Sequence, residues 1–242
     1  MKLKVVGTGS QGNAYLLENE KETLLIECGV NIKKIKKALN FNLKKVVGAL
    51  VTHEHGDHSK AINEVMQSGI NVYATPHVFA KTGLSVTSHR QKPITPLKKF
   101  KVGNFKIMAF EVVHDVPCVG FQIFHPDSGN IVFLTDTVYC PYTFNEINHF
   151  IIEANYCPII AKRKLSEKEF LRNRILQSHM SIDTCEEHLK VNDLTAVRNI
   201  VLIHLSDANS NERQFHQRIS KFGKKVTVAN NGIEIDFNKD PF

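Results

Sequence analysis

The sequence predicts an α/β fold, and three observations lead to that prediction. The chain has 242 residues, enough to bury a full-sized core in one large α/β or all-β domain. Short apolar runs typical of strands alternate with segments whose apolar residues recur at helical spacing. No internal repeat, low-complexity stretch or flexible linker divides the chain. We therefore expect a single domain over residues 1–242.

The amino-terminal part predicts three strands and a helix. Apolar runs lie at Leu3–Val6, Ala14–Leu17 and Thr23–Ile26, and Asn31–Leu39 has helical spacing against a lysine face. The turn GTGSQGN at residues 7–13 also matches the GxGxxG pattern of dinucleotide-binding proteins, which requires a helix after the glycines. Only residues 14–17 are apolar there before a polar stretch, so a hairpin is favoured.

Possible ligands follow several of the later apolar runs. Val46–Val51 leads into HEHGDH at residues 53–58, and Ala61–Ser68 then has helical spacing. In layered α/β proteins, sites are assembled from loops at strand ends, because the scaffold fixes side chains that are far apart in sequence. The other runs end at His114, Asp136, Glu153 and His204.

Three further helices are predicted in the carboxy-terminal half. Ser166–Glu169 forms a capping box, in which Ser and Glu satisfy free backbone N–H groups. Asp183 is expected to cap the second helix. Asn211–Phe222 forms the third, and Gly223 ends it.

The segment HEHGDH concentrates three histidines and one aspartate in six positions, whereas loops usually use Gly, Ser, Asn and Lys. His53 and His55 are two apart on an extended segment, so their side chains emerge on one side and can share an ion. Gly56 would permit a sharp turn, after which Asp57 and His58 project in a new direction. One short loop is therefore expected to contribute to two metal ions.

The order HxHxDH, followed at long intervals by His114, Asp136 and His204, resembles the metallo-β-lactamase superfamily over essentially the whole chain. The resemblance implies a four-layer αββα sandwich, in which helices flank two mixed β-sheets. It also implies two divalent ions, zinc or manganese. By the resemblance, His53, His55 and His114 hold one ion, Asp57, His58 and His204 hold the other, and Asp136 bridges both.

Particular positions discriminate among members of that superfamily. Penicillin-hydrolysing members have Cys where this chain has Asp136, and flavodiiron members have Glu where it has His55. These two differences argue against penicillin hydrolysis and against the flavodiiron class. Hydrolysis of phosphodiesters, thioesters or lactones remains as the activity that the resemblance implies. Family members also usually have Asp in the segment LLIECG, where this chain has Glu27.

Two further motifs favour phosphodiesters. IIEANY at residues 151–156 and SHMSIDT at 178–184 resemble motifs of RNase Z, the tRNA 3′-processing endonuclease. HLSDANSN at 204–211, the opening GTGSQGN and the pair His114-Asp115 resemble the YycJ (WalJ)-type nucleases, which act as exonucleases on DNA. Asp57, His179 and Glu153 are the predicted catalytic residues, with Glu153 as the partner of His179. The alternative for SHMSIDT is a helix cap.

Composition and charge limit the cellular location and the binding partners that we expect. A net charge of +7 is compatible with a polyanionic partner, although lysine clusters also serve as solvated faces. The five cysteines form no CxxC pair, the amino-terminal residues contain no apolar core of a signal sequence, and no segment approaches the length of a membrane span. We expect a soluble cytoplasmic protein with a nucleic acid substrate and no membrane partner.

The predicted function is a dinuclear metal-dependent phosphodiesterase that cleaves nucleic acid, a YycJ-like exonuclease with DNA favoured over RNA. A small-molecule metallohydrolase of the glyoxalase II or lactonase type would share the ligands, but should have a closed apolar pocket instead of a basic groove. A non-catalytic nucleic-acid-binding module is the other alternative, and the intact ligand set argues against it.

Overall fold

The computed structural model describes residues 1–81, 89–164 and 169–240. Two seven-stranded sheets form the centre of the fold. The helices are formed by segments that connect the strands in the sequence. The strands are β1 Lys2–Gly7, β2 Ala14–Glu18, β3 Thr23–Ile26, β4 Val46–Leu50, β5 Val72–Ala74, β6 Gln91–Pro93, β7 Lys99–Val102, β8 Phe105–Val112, β9 Cys118–His125, β10 Gly129–Leu134, β11 Ile147–Glu153, β12 Asn199–Ile203, β13 Lys225–Val228 and β14 Glu234–Asp236. The helices are α1 Ile32–Ala38, α2 Gly56–Ser59, α3 Ile62–Gln67, α4 Pro76–Lys81, α5 Pro158–Lys164, α6 Glu169–Ser178, α7 Ile182–Lys190 and α8 Glu212–Ser220.

Both sheets mix parallel and antiparallel pairs. The first has the order β14-β1-β2-β3-β4-β5-β6, and the second has the order β13-β12-β11-β10-β9-β8-β7. In the first sheet the pairs from β3 to β6 are parallel, and in the second the pairs from β10 to β13 are parallel. Because β8 is antiparallel to β9, and β9 to β10, the carboxyl ends of β8, β10, β11 and β12 meet at one edge.

Three apolar clusters produce the layers. The central one joins the sheets, with Tyr15 and Ile26 from the first packed with Phe121 and Phe133 from the second. A second cluster covers the outer face of the first sheet with residues of α1, α3 and α4, and a third covers the second sheet with residues of α7 and α8. Burial of these side chains stabilises the sandwich by about 25 cal/mol per Å² of apolar surface. The predicted αββα architecture is confirmed.

The amino-terminal predictions are confirmed in detail. β1 and β2 pair antiparallel, so the glycine-rich turn joins a hairpin and does not open a dinucleotide-binding helix. Asn31 caps α1, because its side chain accepts a hydrogen bond from the backbone N–H of Lys33.

Gly56 begins the short helix α2 and does not have the positive φ of a glycine turn, so the change of direction after His55 is a helical turn.

One predicted cap is wrong and another cannot be compared. Ser181, not Asp183, caps α7, and its hydroxyl accepts a hydrogen bond from the N–H of Thr184. Asp183 lies in the first turn of that helix and forms an ion pair with Arg218 instead. The capping box at 166–169 includes residues outside the described ranges. None of the described helices has the length and apolar character needed to cross a membrane.

Candidate metal centre

His53, His55 and His114 form the first cluster at the strand-end edge. His53 follows β4, and His114 follows β8 of the opposite sheet. His114 Nε2 lies 3.3 Å from His55 Nδ1, and the ring centroids of His53 and His114 are 4.8 Å apart. One potential ligand atom from each of the three rings lies within 4.8 Å of the others. The buried Nε2 of His53 has no hydrogen-bond partner among the described residues, as expected of a nitrogen that faces a cation.

Asp57, His58 and His204 form the second cluster. Asp57 Oδ2 lies 3.4 Å from His58 Nε2 and 3.3 Å from His204 Nε2. Asp136 lies between the two clusters: its Oδ2 is 3.1 Å from His58 Nε2, and it also groups with His53 and His58 as a possible ligand set. The seven residues predicted as metal ligands are therefore brought together, with Asp136 within reach of both clusters.

Glu27 and Thr52 lie behind two of these rings. The Thr52 hydroxyl donates to Glu27 Oε1 at 2.6 Å, so its oxygen is free to accept the Nδ1 proton of His53, 2.9 Å away. Glu27 Oε1 also lies 3.2 Å from His58 Nδ1. The contact with Thr52 directs the Nε2 lone pair of His53 toward the site, whereas Glu27 places a negative charge beside the His58 ring without a hydrogen bond to its Nδ1. Carboxylates behind ligating histidines tune metal sites in this way.

We predict that Glu27→Gln lowers the affinity for divalent metal roughly 10–100-fold, the usual cost of losing a carboxylate behind ligating histidines. The amide keeps the length of the side chain but loses the charge that faces His58. Competition with a chromophoric chelator measures the change. Glu22→Gln is the matched control, because Glu22 is also a buried carboxylate beside a histidine, His125, but precedes β3 at its opposite end. Equal affinities for Glu27→Gln and the parent would contradict the assigned role.

The charges within the clusters are strongly coupled. Although burial opposes ionisation, the neighbouring His204 and His58 hold the pKa of Asp136 well below its usual range. Burial also opposes ionisation of Asp57, but hydrogen bonds from His204 and His58 lower its pKa. Burial lowers the pKa of His53 well below its ordinary value. The carboxylates and His53 are therefore in the forms that bind metal ions. Although burial favours neutral rings, the charge of Asp136 raises the pKa of His58 and of His204, so these rings must release protons when metal binds.

Glu153 and His179 form a pair beside the clusters. His179 Nδ1 lies 2.7 Å from Glu153 Oε1, and the other carboxylate oxygen accepts hydrogen bonds from the backbone N–H groups of Thr137 and Met180. Burial disfavours the charged ring, but the charge and hydrogen bond of Glu153 raise the pKa of His179 to about 9. His179 Nδ1 is also 3.4 Å from Asp136 Oδ1. The ring is thus held in its proton-donating form next to the candidate metal ligands.

The chain backbone is strained where this edge is assembled. Glu27, Asp136 and His204 have φ values of 67°, 47° and 55°, in the left-handed region that non-glycine residues rarely adopt. Such conformations cost about 1–3 kcal/mol each and cluster at functional sites. All three residues directly follow strands or lie one residue beyond them. The backbone N–H of Glu27 donates to the carbonyl oxygen of Leu50 and that of His204 donates to the hydroxyl of Thr8, so two of these conformations are held by hydrogen bonds.

Several supporting residues were not identified from the sequence. Asn155 donates to the carbonyl oxygen of His204 and lies 3.1 Å from its Nδ1, while Asn13 lies 3.1 Å from His58 Nε2. The hydroxyl of Thr8 accepts the backbone N–H of His204 at 3.0 Å. The sequence feature that could have identified such residues is a polar side chain next to a predicted ligand or catalytic residue, such as Thr52 beside His53 and Asn155 in IIEANY.

The clusters fit divalent metal ions. They combine imidazole nitrogens with carboxylate oxygens, a mixture that suits zinc and also manganese. The orphaned Nε2 of His53 and the convergence of acceptor atoms require a cation or protons to be stable. The edge formed by these residues is therefore able to bind metal.

Comparison with known proteins agrees with the fold. Residues 7–139 match the metallo-beta-lactamase superfamily. The chain is 29% identical over 251 aligned positions to exodeoxyribonuclease WalJ of Streptococcus pneumoniae serotype 2 strain D39, covering 98% of this chain and 92% of that protein. It is 24% identical to exodeoxyribonuclease YycJ of Bacillus anthracis, covering 91% and 88%.

A solved structure extends the match to three dimensions. The metallo-beta-lactamase fold protein YhfI from Bacillus subtilis superposes with a TM-score of 0.73 at 17% identity, covering 97% of this chain and 99% of that chain. The sequence match covers more than half of the chain, and the two sheets with their flanking helices agree with it. The chain belongs to the metallo-beta-lactamase superfamily.

Proposed function

We propose that the chain is a dinuclear metal-dependent phosphodiesterase that cleaves nucleic acid, with DNA favoured over RNA and an exonuclease of the YycJ type as its closest functional class. The observation that carries the proposal is the similarity to two exodeoxyribonucleases along nearly the whole chain, together with an intact ligand set at the strand-end edge. His53, His55 and His114 would hold one ion, Asp57, His58 and His204 the other, and Asp136 would bridge them.

The bound metal ions and the protein side chains would have separate roles in the reaction. When bound, two divalent cations supply charge neutralisation to a phosphoryl group undergoing in-line displacement. His179 is placed to donate a proton to the departing oxygen, because Glu153 fixes its ring at 2.7 Å and favours the charged form. Asp57 Oδ2 lies beside His58 Nε2 and His204 Nε2, so its carboxylate and these two imidazoles would serve together as ligands of one ion. Glu153 is a positioning residue.

The openness of the edge favours a polymeric substrate. His55, Asp57 and His179 have side chains that are 29%, 24% and 21% exposed, so the centre is reached directly from solvent. Nearby, Tyr139 is 51% exposed and Val113 is 39% exposed. The Thr137 hydroxyl bridges their backbones, at 2.7 Å from the carbonyl oxygen of Tyr139 and 3.1 Å from that of Val113. An exposed aromatic ring beside the site provides a surface on which a base can stack.

A polar groove leads away from the centre on the side of the glycine-rich turn. It encloses about 380 Å³ and meets the second cluster at Thr8, which contacts the backbone of His204. Lys34 lines the groove together with the carboxylates Asp207 and Glu212, and Lys60 donates to the backbone oxygen of Gln11 at its wall. Lys34 can contact a phosphate, but with two carboxylates in its lining the groove is mixed in charge and is not the basic groove expected for a nucleic acid substrate.

The proposal predicts metal-dependent digestion of nucleic acid with binding that weakens steeply in salt. Labelled single- and double-stranded DNA, RNA and precursor tRNA are incubated with metal-loaded protein, and a thioester and a lactone serve as controls. DNA should be cleaved and the small substrates left intact. The affinity for DNA that the enzyme cannot cleave should fall roughly tenfold or more between 50 and 200 mM salt if about three phosphates are contacted. The reason is that lysines which bind phosphates displace the counterions condensed on the DNA. Rapid lactone or thioester hydrolysis with no DNA cleavage would favour the small-molecule alternative.

A further inference from the structure

Asp115 lies beside the first cluster, and none of the roles described so far uses it. Its Oδ1 is 3.0 Å from His114 Nε2 and 3.6 Å from His55 Nε2. The side chain is 38% exposed, so the carboxylate approaches the first cluster from the solvent side. Asp136 lies between the two clusters, and Asp115 is a further carboxylate beside His55 and His114 of the first cluster.

When the His114 ring is neutral, the form in which an imidazole binds metal, its contact with Asp115 joins two hydrogen-bond acceptors. His114 Nδ1 donates to the backbone oxygen of Ser178 at 2.8 Å, since a carbonyl can only accept. A neutral imidazole has a single N–H, so Nε2 presents its lone pair to the carboxylate oxygen of Asp115. Two acceptor atoms 3.0 Å apart are stable together when a cation lies between them and both serve as its ligands. The same lone pair places His114 in the first cluster.

We propose that Asp115 is an additional carboxylate ligand of the ion held by His53, His55 and His114, and that it shifts the preference of this position from zinc toward manganese. The inference rests on the proposed two-metal function. Three imidazoles alone suit zinc, whereas carboxylate oxygen and a larger ligand number suit manganese. Asp115 thus adds a second carboxylate oxygen and further negative charge to the three imidazoles and the bridging Asp136.

An orienting role for Asp115 is the competing explanation. In that role its carboxylate would accept a hydrogen bond from the Nε2–H of His55 without touching the ion. The separation of 3.6 Å is longer than the 2.7–3.2 Å usual for such bonds, and it exceeds the distance to His114. An orienting residue acts through His55 and should therefore affect every metal alike.

Asp115→Asn distinguishes the two roles. Asn keeps an oxygen that can accept a hydrogen bond from His55 but removes the anionic ligand. Metal-stripped protein is titrated separately with Mn²⁺ and Zn²⁺ in competition with a chromophoric chelator. We expect the affinity for Mn²⁺ at the position held by His53, His55 and His114 to fall about tenfold or more and that for Zn²⁺ to fall less, so that the Mn²⁺-to-Zn²⁺ affinity ratio decreases.

Asp127→Asn is the matched control for the loss of one exposed charge. Asp127 is 43% exposed, comparable with Asp115, and hydrogen-bonds to Asn19 away from the clusters. Its substitution should leave both affinities unchanged. Unchanged affinities in Asp115→Asn, or equal losses for both ions, would overturn the ligand assignment. A parent protein that binds neither ion would instead contradict the proposed function, so the two failures are distinguishable.

Discussion

His53→Ala is expected to lose tightly bound metal and nearly all nuclease activity. His53 contributes the buried Nε2 that has no other partner among the described residues, and Thr52 fixes its ring from behind. Removing it leaves two imidazoles in the first cluster. Loss of an ion that supplies several kcal/mol of transition-state stabilisation lowers turnover by ~10³-fold or more. Elemental analysis and a DNA digestion assay on the same preparation measure both effects.

The fold should survive this substitution. His53 lies at the end of β4, outside the three apolar clusters that join the layers. Far-ultraviolet circular dichroism of the metal-free proteins should therefore be unchanged. His216→Ala is the control, since His216 lies on the exposed part of α8 and contacts only Ser220 in the described hydrogen-bond network. Loss of metal without loss of turnover would contradict the mechanism.

His179→Ala is expected to keep both metals and the affinity for substrate while lowering turnover on DNA about 10²–10⁴-fold, the usual contribution of a positioned general acid. Breaking a phosphodiester leaves an alkoxide that is hard to expel at neutral pH. His179 is held in its charged form by Glu153, 2.7 Å away. Glu153→Gln should lower turnover less, and the double change should be little worse than His179→Ala, because the two residues act as a unit.

A substrate with a good leaving group tests this role directly. A nitrophenyl phosphodiester needs no protonation of its leaving oxygen, so His179→Ala should cleave it nearly as fast as the parent. His77→Ala is the matched control, because His77 also pairs with a glutamate, Glu54, at 2.6 Å beside the metal loop but outside the clusters. It should keep turnover on both substrates. If the activated substrate suffers as much as DNA in His179→Ala, the ring is not the general acid.

Much of the fold and the positions of the candidate ligands could be predicted from local sequence. Apolar runs ending in His, Asp or Glu marked the strand ends, and the sheets place those ends at one edge. The hairpin at the glycine-rich turn followed from the polar stretch after residue 17. These predictions succeeded because each depends on periodicity and on residues adjacent in the chain.

The remaining features depend on contacts between distant segments. Ser181 and Asp183 are both competent caps, and only the backbone geometry of α7 selects the serine. Glu27 contacts Thr52, 25 positions away, so its role behind His53 and His58 could not be read from local pattern. The position of Asp115 against the imidazole of His55 likewise requires two sheets to be assembled. Sequence spacing carries no distance information across such contacts.

The number of metal ions per chain tests the central claim most directly. Protein purified without chelator and reconstituted with Mn²⁺ or Zn²⁺ is freed of unbound metal, and its metal content is determined by elemental analysis against protein concentration. The arrangement of His53, His55 and His114 beside Asp57, His58 and His204, with Asp136 between them, predicts two ions per chain. A protein that retains no metal, or only one ion at saturation, would contradict the dinuclear centre.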